Sequence, residues 1–531
     1  MRIFTLLGLI LLFSGLGYGQ RTVRLVTDFT PGSDGFRNDM EIIGTIGNSI
    51  VFDDRGDVVL SNGFESGTSV IGNLGTDGRV LHNRVELNGK LYFHIVNDES
   101  DFSLIEIDPL LEQMRVVISG FANLSNLVSF RGSLYMGVDG SNFNEFFAKV
   151  DLNTGELETI FDVDSFGGIR DILVHNDLIY TIHWSDNRDG AFLASNDGTP
   201  GSLNEFFFFF SGSDFSSVAT INMTSADDYF YFWYNNGSNP YMMFRSDGTD
   251  TGTIELTGEL QRVNFFDFDA NRSIGTIGNS IFFYANEIGS SFDYLWMSDG
   301  TADGTQRVEL EEDLETEPRF FTNYNDLLYF RGFHTSGSFS DIAGMIVTDG
   351  TADGTFRAWD VDNHNELENF EAWHLIEHQG LLYFNGPSET NGNELWQSDA
   401  TLINTIRLSD IIPGDDDASP VNFRSAGENL FFLGRTPETG LELYVFGPES
   451  SSTENIITKV SLSPNPVSDR ITFENLDTGT KDVIIYNMQG SIVSKTKTSE
   501  NMVKVDGLQS GSYVLQLITN EVIYALQFIK L

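Results

Sequence analysis

The sequence predicts an all-β protein, made of a large β-propeller of four-stranded repeats and a small C-terminal β-sandwich. Turn motifs related to SDGTADGT at Ser298–Thr305 recur about every 50 residues, and a fixed period of this length indicates repeat architecture. Each period contains four short apolar runs rich in aromatic and β-branched residues, which is typical of β-strands. After residue 458 the repeats stop, and shorter strand-like runs follow that are separated by Asn-Pro and Gly turns.

The repeat is seen most clearly in residues 319–360. Four runs follow one another there, RFFTNYN, DLLYFRG, GMIVTDG and TFRAWD. The second run is apolar at every position of Leu327–Phe330, as expected for a strand that is covered on both faces. The DGTxDGT segment is then a hairpin loop between the third and fourth strands, because Asp and Gly both favour tight turns. Four strands per period predict a propeller blade; the alternatives are a β-solenoid or several sandwiches in series.

Three segments carry a family resemblance: ELWQSD at 394–399, YLWMSDGTADGT at 294–305 and IVTDGTADGT at 346–355. They resemble the ELWxxDGT repeat proteins over residues 191–446, and the resemblance is weaker before that. It implies a propeller-like protein of a bacterial surface, from a family in which most members have no assigned activity.

The N-terminal residues 1–19 are predicted to be a secretory signal peptide. One basic residue, Arg2, precedes an apolar run and small residues, so cleavage is expected between Gly19 and Gln20. The apolar run is too short to cross a bilayer, and no later stretch qualifies, so no transmembrane segment is expected in the mature chain.

Charge divides the rest of the chain. The whole sequence has a net charge of −47, and residues 21–458 hold 70 acidic but only 22 basic residues, whereas residues 459–531 hold seven of each. We therefore predict a propeller at 20–448, a linker at 449–458 and a separate domain at 459–531. Such acidity disfavours nucleic acid and anionic lipid as partners. The chain has no cysteine, so blade packing rather than disulfide bonds must stabilise it.

The ends of the propeller predict that the ring closes through the N-terminal strand. The segment RTVRLVTDFTPG at 21–32 resembles RLSDIIPG at 407–414, the fourth strand and exit of a blade, if Arg24-Leu25 is set on Arg407-Leu408 with a one-residue gap. The last repeat, 421–446, has three strand-like runs and no fourth. The N-terminal strand would complete that blade and protect two open edges. Anchor positions suggest nine units, and we expect about seven to nine blades.

The C-terminal domain resembles, over its whole length, the type A sorting domain of type IX secretion. The resemblance implies export across the outer membrane of a Gram-negative bacterium by the type IX machinery, followed by removal of the domain and either surface attachment or release. The residues that carry it, or that belong to processing and sorting, are Gly19, Gln20, Pro464, Asn465, Pro466, Gly490, Gly511, Tyr513 and Lys530.

Candidate metal ligands occur in the DGTxDGT loops. Asp299 with Asp303, and Asp349 with Asp353, are carboxylates beside loop carbonyls, which are the ligands that calcium prefers. Turn formation explains the same residues without a metal, and we favour it. No other cofactor is expected.

Other motifs fail on context or spacing. HLIEH at 374–378 has a zinc-peptidase spacing, but it lies in a predicted strand, where the two histidines would be about 13 Å apart. DFDAN at 267–271 begins like a calcium loop and lacks the Gly and Glu that an EF-hand needs. Asp360, Asp362 and His364 form no full ligand set. No nucleophile elbow, phosphate loop or dinucleotide motif occurs.

Three functions remain open from the sequence. The first is a non-enzymatic binding or adhesion module for a glycan or protein. The second is a carbohydrate-active hydrolase or lyase that uses acids on one propeller face, and the third is a structural surface protein. A fold of this kind hosts many functions, so it does not choose among them.

Overall fold

A computed structural model of the chain divides into two compact units, one of which is Val23–Gly447 while the other contains Pro448–Leu531. The structure describes residues 21–531 except for 27–39, 76–77, 98–100, 140–144, 164–167, 186–189, 212–222, 235–240, 264–273, 290–292, 309–317, 334–342, 352–353, 359–372, 389–391, 402–403, 415, 438, 449–460, 464–465, 475–480, 488–491 and 519–522. The described residues form 43 strands and one 3-10 turn, Glu65–Gly67. In these residues no helix has the length and apolar character needed to span a membrane.

The first unit is a nine-bladed β-propeller within the described residues, which confirms the predicted fold class. Its strands are β1 (Arg21–Leu25), β2 (Met40–Ile46), β3 (Ser49–Asp54), β4 (Asp57–Ser61), β5 (Thr68–Asn73), β6 (Arg79–Leu87), β7 (Lys90–Val96), β8 (Phe102–Asp108), β9 (Gln113–Phe121), β10 (Asn123–Phe130), β11 (Ser133–Asp139), β12 (Glu145–Val150), β13 (Leu157–Val163), β14 (Ile169–His175), β15 (Leu178–Ser185), β16 (Gly190–Asn196), β17 (Asn204–Ser211), β18 (Thr224–Ser225), β19 (Phe230–Tyr234), β20 (Tyr241–Ser246), β21 (Ile254–Val263), β22 (Ile274–Ile277), β23 (Ser280–Glu287), β24 (Asp293–Ser298), β25 (Gln306–Arg307), β26 (Arg319–Tyr324), β27 (Leu327–Phe333), β28 (Ala343–Thr348), β29 (Phe356–Arg357), β30 (Trp373–His378), β31 (Leu381–Ser388), β32 (Gly392–Ser398), β33 (Ile406–Arg407), β34 (Val421–Ala426), β35 (Asn429–Thr436) and β36 (Gly440–Pro448).

Each blade is formed by four strands. Blades 1 to 8 take four strands each in chain order from β2 to β33, and blade 9 consists of β34, β35, β36 and β1. The first strands of neighbouring blades contact one another, so that β2 touches both β6 and β34. Neighbouring blades converge at the ring axis, and the first strand of each blade is therefore its innermost strand.

Packing between blades explains the apolar second and third strands. Every residue of β16, for example, is buried, because the strand has a neighbouring blade on each face. One core cluster joins Tyr383 and Leu395 of blade 8 to Phe423 and Phe432 of blade 9. Burying one such side chain stabilises the fold by roughly 1.5–3 kcal/mol, so the ring is held together by many contacts of this kind.

The N-terminal strand closes the ring, as predicted. β1 lies beside β36 in blade 9, and the N–H of Val26 donates to the carbonyl of Leu443 at 3.0 Å. The equivalent bond in blade 8 joins Leu408 to Leu395 at 2.8 Å. Val26, and not Leu25, therefore occupies the position of Leu408. The predicted match of Arg24-Leu25 to Arg407-Leu408 was wrong by one residue, and the two segments align without a gap.

Blades 5 and 6 share one continuous sheet. The end of β21, the outer strand of blade 5, pairs with β23 of blade 6, with Leu260 opposite Glu287 and Val263 opposite Ala285. β22, the innermost strand of blade 6, covers only the other end of β23. This irregular junction was not visible in the sequence, because the exchange depends on pairing between two repeats.

The second unit contains two sheets that share one hydrophobic core. One sheet has the order β37-β38-β41 and the other β40-β39-β42-β43. Ile471 and Phe473 of the first sheet pack with Val483, Leu515 and Phe528 of the second. The strands are β37 (Ser461–Ser463), β38 (Arg470–Glu474), β39 (Lys481–Asn487), β40 (Ile492–Thr498), β41 (Met502–Lys504), β42 (Gly511–Ile518) and β43 (Ile523–Lys530).

Candidate functional site

Five loops between third and fourth strands share one hydrogen-bond pattern, and we call them the DGT loops. In each of them, the first side chain is bonded to a Thr side chain seven residues later. In the loop of blade 6, Ser298 Oγ lies 2.6 Å from Thr305 Oγ1, and Asp299 Oδ1 accepts from the backbone N–H of Thr301 at 2.9 Å and from its hydroxyl at 2.7 Å. The DGT loops are 61–68, 246–253, 298–305, 348–355 and 398–405.

The glycine of a DGT loop packs against an aromatic residue of the preceding blade. Gly300 has φ of +86° and lies beside Tyr231 of blade 5, and Gly248, with φ of +88°, lies beside Tyr180 of blade 4. Glycine is needed twice over at these positions, for the positive φ and for the close approach. The repeated motif therefore joins consecutive blades to each other.

The predicted calcium ligands lie in these loops. Asp299 and Asp349 each accept hydrogen bonds from the Thr two residues on, and those bonds lower the pKa of Asp349. Asp303 is exposed, and Asp353 lies outside the described residues. Across the part of the chain that the structure describes, no three His, Cys, Asp or Glu side chains are grouped to hold a metal ion. The turn function of Asp299 and Asp349 is thus visible, and calcium binding stays a prediction.

The ELW residues also have structural partners. Glu394 is fully buried, where it accepts from the hydroxyl of Ser409 and from the N–H of Ile411, and burial raises its pKa. Trp396 donates from Nε1 to the carbonyl of Gly386 at 3.0 Å. Both side chains fix the third strand of blade 8 within its sheet and its exit loop.

The HLIEH segment is a strand, as predicted. It forms most of β30, where His378 Nδ1 lies 2.8 Å from Ser425 Oγ of the next blade. The ring of His374 packs against Phe320, with centroids 4.7 Å apart. The two histidines thus have separate partners. Asp267, Asp269, Asp360, Asp362 and His364 lie outside the described residues.

A cavity of about 360 Å³ lies at the hairpins that join the first and second strands of blades 5, 6 and 7. Hydrogen bonds fix these hairpins to one another. The N–H of Asp228 donates to Asn279 Oδ1 at 2.7 Å, and Asn323 Nδ2 donates to the carbonyl of Thr276 at 2.7 Å. Hydroxyl, amide and carboxylate groups therefore stand at fixed positions around it. The lining residues are Ser225, Ala226, Asp227, Thr276, Ile277, Gly278, Asn323 and Asp326.

A second cavity, of about 470 Å³, lies beside the outer loop of blade 3. Its central acidic residue, Asp151, accepts from the N–H groups of Asn153 at 2.8 Å and Thr154 at 3.1 Å. This carboxylate stabilises its own turn, as the Asp of a DGT loop does. We therefore explain the cavity by the shape of the loop.

Blade 2 has a charged cluster around the buried Glu106, at the end of the blade where other blades have a DGT loop. Glu106 accepts from Arg115 through both oxygens at 2.7 Å, from Lys90 at 2.9 Å and from Tyr92 Oη at 2.9 Å. Burial raises the pKa of Glu106, but these hydrogen bonds outweigh burial and lower it to about 2. The carboxylate stays ionised and ties three strands together. Its partners come from the two flanking strands, β7 and β9, so no local motif could have identified the cluster.

Asp171 connects three innermost strands. Its carboxylate accepts from Asn126 Nδ2 of blade 3 at 2.5 Å and from the N–H of Met223, just before β18, at 2.6 Å. Burial raises its pKa to about 7. The bonds use both oxygens for joining blades, which makes Asp171 a structural residue. Its sequence context, IRDIL, gave no sign of this role.

In the second unit, the described sorting residues lie near the C-terminal strand. Tyr513 is buried, stacks on Phe528 with centroids 5.5 Å apart and donates to the carbonyl of Gln509 at 2.9 Å. The residue after Pro466, Val467, forms a parallel bridge with Lys530. Gly511 pairs with Lys530 across β42 and β43. Gly19, Gln20, Pro464, Asn465 and Gly490 lie outside the described residues.

Comparison with known proteins identifies the second unit. Residues 461–530 match the family described as the secretion system C-terminal sorting domain. No curated protein matches the chain.

Solved structures that match the chain include PorZ, an essential surface component of the type IX secretion system of Porphyromonas gingivalis. It is 12% identical over 91% of this chain and 80% of that chain, with a TM-score of 0.22. The β-propeller domain of the Trilobed protease from Pyrococcus furiosus is 10% identical over 63% and 98%, with a TM-score of 0.33. Oligopeptidase B from Leishmania major is 10% identical over 68% and 53%, with a TM-score of 0.40.

The family match covers the strands and the core of the second unit, from Ser461 to Lys530. Residues 461–530 are therefore a C-terminal sorting domain, which marks the nine-bladed propeller for export by type IX secretion.

Proposed function

We propose that the protein is a binding module of the outer cell surface, which type IX secretion delivers and which retains a glycan at its propeller. The observation that carries the proposal is the cavity at the hairpins of blades 5 to 7. Its Ser, Thr, Asn and Asp side chains offer the hydroxyl, amide and carboxylate groups that hydrogen-bond sugar hydroxyls. The surrounding hairpins are bonded to each other, so these groups need little ordering when a ligand binds.

Binding is favoured over catalysis by where the strongly perturbed acids lie. A catalytic acid is expected to have a shifted pKa and to face the ligand. The carboxyl groups whose pKa values move furthest among the described residues, Glu106 and Asp171, are both occupied by bonds within or between blades. Neither of them lines the cavity.

Delivery can be tested by removing residues 461–531 in the native host. We expect the full chain to be digested by protease added to intact cells, and the truncated chain to be protected inside the cell. Equal protection of both chains would contradict export through this domain.

Binding can be tested by melting the full mature protein in the presence of a panel of soluble glycans. A ligand at 100 times its Kd stabilises the folded state by about 2.7 kcal/mol, which raises the melting temperature measurably. At least one glycan class should raise it. A flat response across the panel would overturn the glycan proposal and favour a structural role.

A further inference from the structure

The polar groups of the cavity at blades 5 to 7 favour one chemical class of ligand. The inference drawn from them rests on the proposed binding function. Most of the polar groups are hydrogen-bond acceptors. The bonds that each side chain already makes show which groups can accept a hydrogen bond from a ligand.

Ser225 is held as an acceptor by a chain of bonds. Asn176 Nδ2 lies 2.9 Å from His175 Nε2, and an amide nitrogen can only donate, so Nε2 must accept. A nitrogen that accepts carries no proton, so the ring is neutral with its proton on Nδ1, and burial, which lowers the pKa of His175, favours this form. That nitrogen donates to Ser225 Oγ at 2.7 Å. The Ser225 hydroxyl in turn donates to the carbonyl of Ala226 at 3.3 Å, which leaves an oxygen lone pair for a ligand.

The remaining groups add acceptors as well. One amide hydrogen of Asn323 is committed to the carbonyl of Thr276, while its Oδ1 is an acceptor. Asp227 and Asp326 are exposed carboxylates in the cavity wall, and an ionised carboxylate only accepts. Thr276 can donate or accept. A matching ligand must therefore be rich in donors.

The negative charge of the propeller also favours a ligand that is rich in donors and positively charged. Residues 21–458 carry 70 acidic and 22 basic residues, so the field of the domain attracts cations and repels anions. A sulfated, phosphorylated or carboxylated sugar would meet repulsion at this cavity. A protonated amine supplies three donors and a positive charge together.

We propose that this cavity binds an amino sugar whose amine is free and protonated. Protonated amines of the bound sugar lie against the carboxylates of Asp227 and Asp326, and ring hydroxyls bond to Ser225, Thr276 and Asn323. Acetylation of the amine would remove both the charge and two of its donors, so the site discriminates deacetylated from acetylated sugars.

The test is calorimetric titration of the full mature protein with a glucosamine trimer and with its N-acetylated counterpart. The titrations are run at about pH 6, below the pKa of an ordinary amino group. We expect the free-amine trimer to bind at least tenfold more tightly than the acetylated one. Binding should weaken as salt is added, because exposed charges are screened. Asp227→Asn and Asp326→Asn should each weaken it about tenfold or more.

The matched control is Glu428→Gln. Glu428 is the second turn residue of the blade 9 hairpin, between Ala426 and Asn429, as Asp326 is in blade 7. This variant removes the same charge at an equivalent position outside the cavity and should bind like the unaltered protein. Equal melting temperatures will show that all variants are folded.

Two results would overturn the inference. Equal binding of the free-amine and acetylated trimers would reject the amine preference. Full affinity of both Asp variants would place the ligand elsewhere. In either case, binding of some glycan would leave the proposed function intact, whereas a panel in which no glycan binds would overturn both.

Discussion

His94 is a buried histidine in the second strand of blade 2, with 1% of its surface exposed. Its Nε2 is buried without a hydrogen-bond partner among the described residues. Burial penalises the charged ring and lowers the pKa from 6.5 to about 4. The folded state therefore resists protonation more than the unfolded state does, and the neutral ring stabilises the fold above pH 6.5.

This stabilisation should be lost as the pH falls from about 6.5 to 4, because the unfolded chain then takes up the proton first. The pKa difference corresponds to at most about 3 kcal/mol. We expect His94→Leu to flatten the fall in unfolding free energy between pH 7 and 4.5, measured by urea denaturation. An unchanged slope would show that His94 is not responsible. Asp171 has the opposite effect on the pH dependence of stability. Burial raises its pKa, so the stability that its protonated form contributes is lost as the pH rises through about 7.

Ala400 occupies the glycine position of a DGT loop. Its φ is +68°, whereas Gly248, Gly300 and Gly350 stand at that position in other blades. A side chain in this left-handed region costs roughly 1 kcal/mol. Ala400→Gly should therefore stabilise the protein by about 0.5–1 kcal/mol, measured by thermal melting.

The control for this substitution is Ala302→Gly. Ala302 is an exposed residue of the blade 6 loop, and it is not among the residues with positive φ. Glycine there only increases the freedom of the unfolded chain, so this variant should be less stable. A loss of stability in both variants would show that the strain at Ala400 is negligible.

At the scale of one element, the DGT loop connects a blade to the blade before it. A methyl group added at Gly248 would clash with Tyr180 Oη, whereas one added at Gly289 would meet no atom within 4 Å. Both residues have nearly the same φ, +88° and +89°. Their comparison thus separates contact with the neighbouring blade from backbone strain.

We expect Gly248→Ala to cost about 1–3 kcal/mol more than Gly289→Ala, since the added methyl must displace a packed side chain. Adding Tyr180→Phe to Gly248→Ala should recover part of the loss, because the obstructing hydroxyl is removed. The measurement is the free energy of unfolding. An equal loss of unfolding free energy at the two glycines would show that Gly248 does not contribute to packing between blades.

The DGT loops can also be tested for calcium binding. The Asp299 carboxylate already accepts two bonds from Thr301, so turn formation accounts for it. We expect calcium and chelator to leave the melting temperature of the mature protein unchanged. A rise with calcium that Asp299→Asn abolishes would establish a metal site in the DGT loops.

In the molecule as a whole, blades 9 and 1 are joined by side-chain hydrogen bonds and by a shared core. Arg24 donates to the carbonyl of Gly63 in blade 1 at 3.1 Å and to that of Gly447 in blade 9 at 3.3 Å. Asn429 donates across the same junction to the carbonyls of Asn48 and Asn62, at 3.4 and 3.1 Å. Beneath them, Ile42 and Phe52 of blade 1 pack with Phe431 and Val445 of blade 9.

Deletion of residues 21–26 should open this junction, because β36 loses its partner strand and becomes an exposed edge. We expect a lower melting temperature, faster hydrogen exchange in β36 and β2, and a tendency to aggregate. Arg24→Ala should show a smaller effect in the same direction. If exchange in β36 and β2 is unchanged by the deletion, β1 is not needed for closure.

The repeat, the four strands of each blade, closure by the N-terminal segment and the sorting domain could all be predicted from the amino-acid sequence. These features depend on local chemistry, because strands follow from apolar runs and turns from Asp, Gly and Thr at short spacing. A similar spacing in each repeat then specifies blades of the same four-stranded type.

The side-chain contacts between repeats became known from the three-dimensional fold. Glu106 with Arg115, Asp171 with Asn126 and Met223, and the shared sheet of blades 5 and 6 all join residues from different strands or blades. The cavity is of the same kind, since Ser225, Thr276 and Asn323 lie about fifty residues apart in the chain. The repeat spacing places such residues at similar positions of consecutive blades, but only the ring geometry shows which side chains meet.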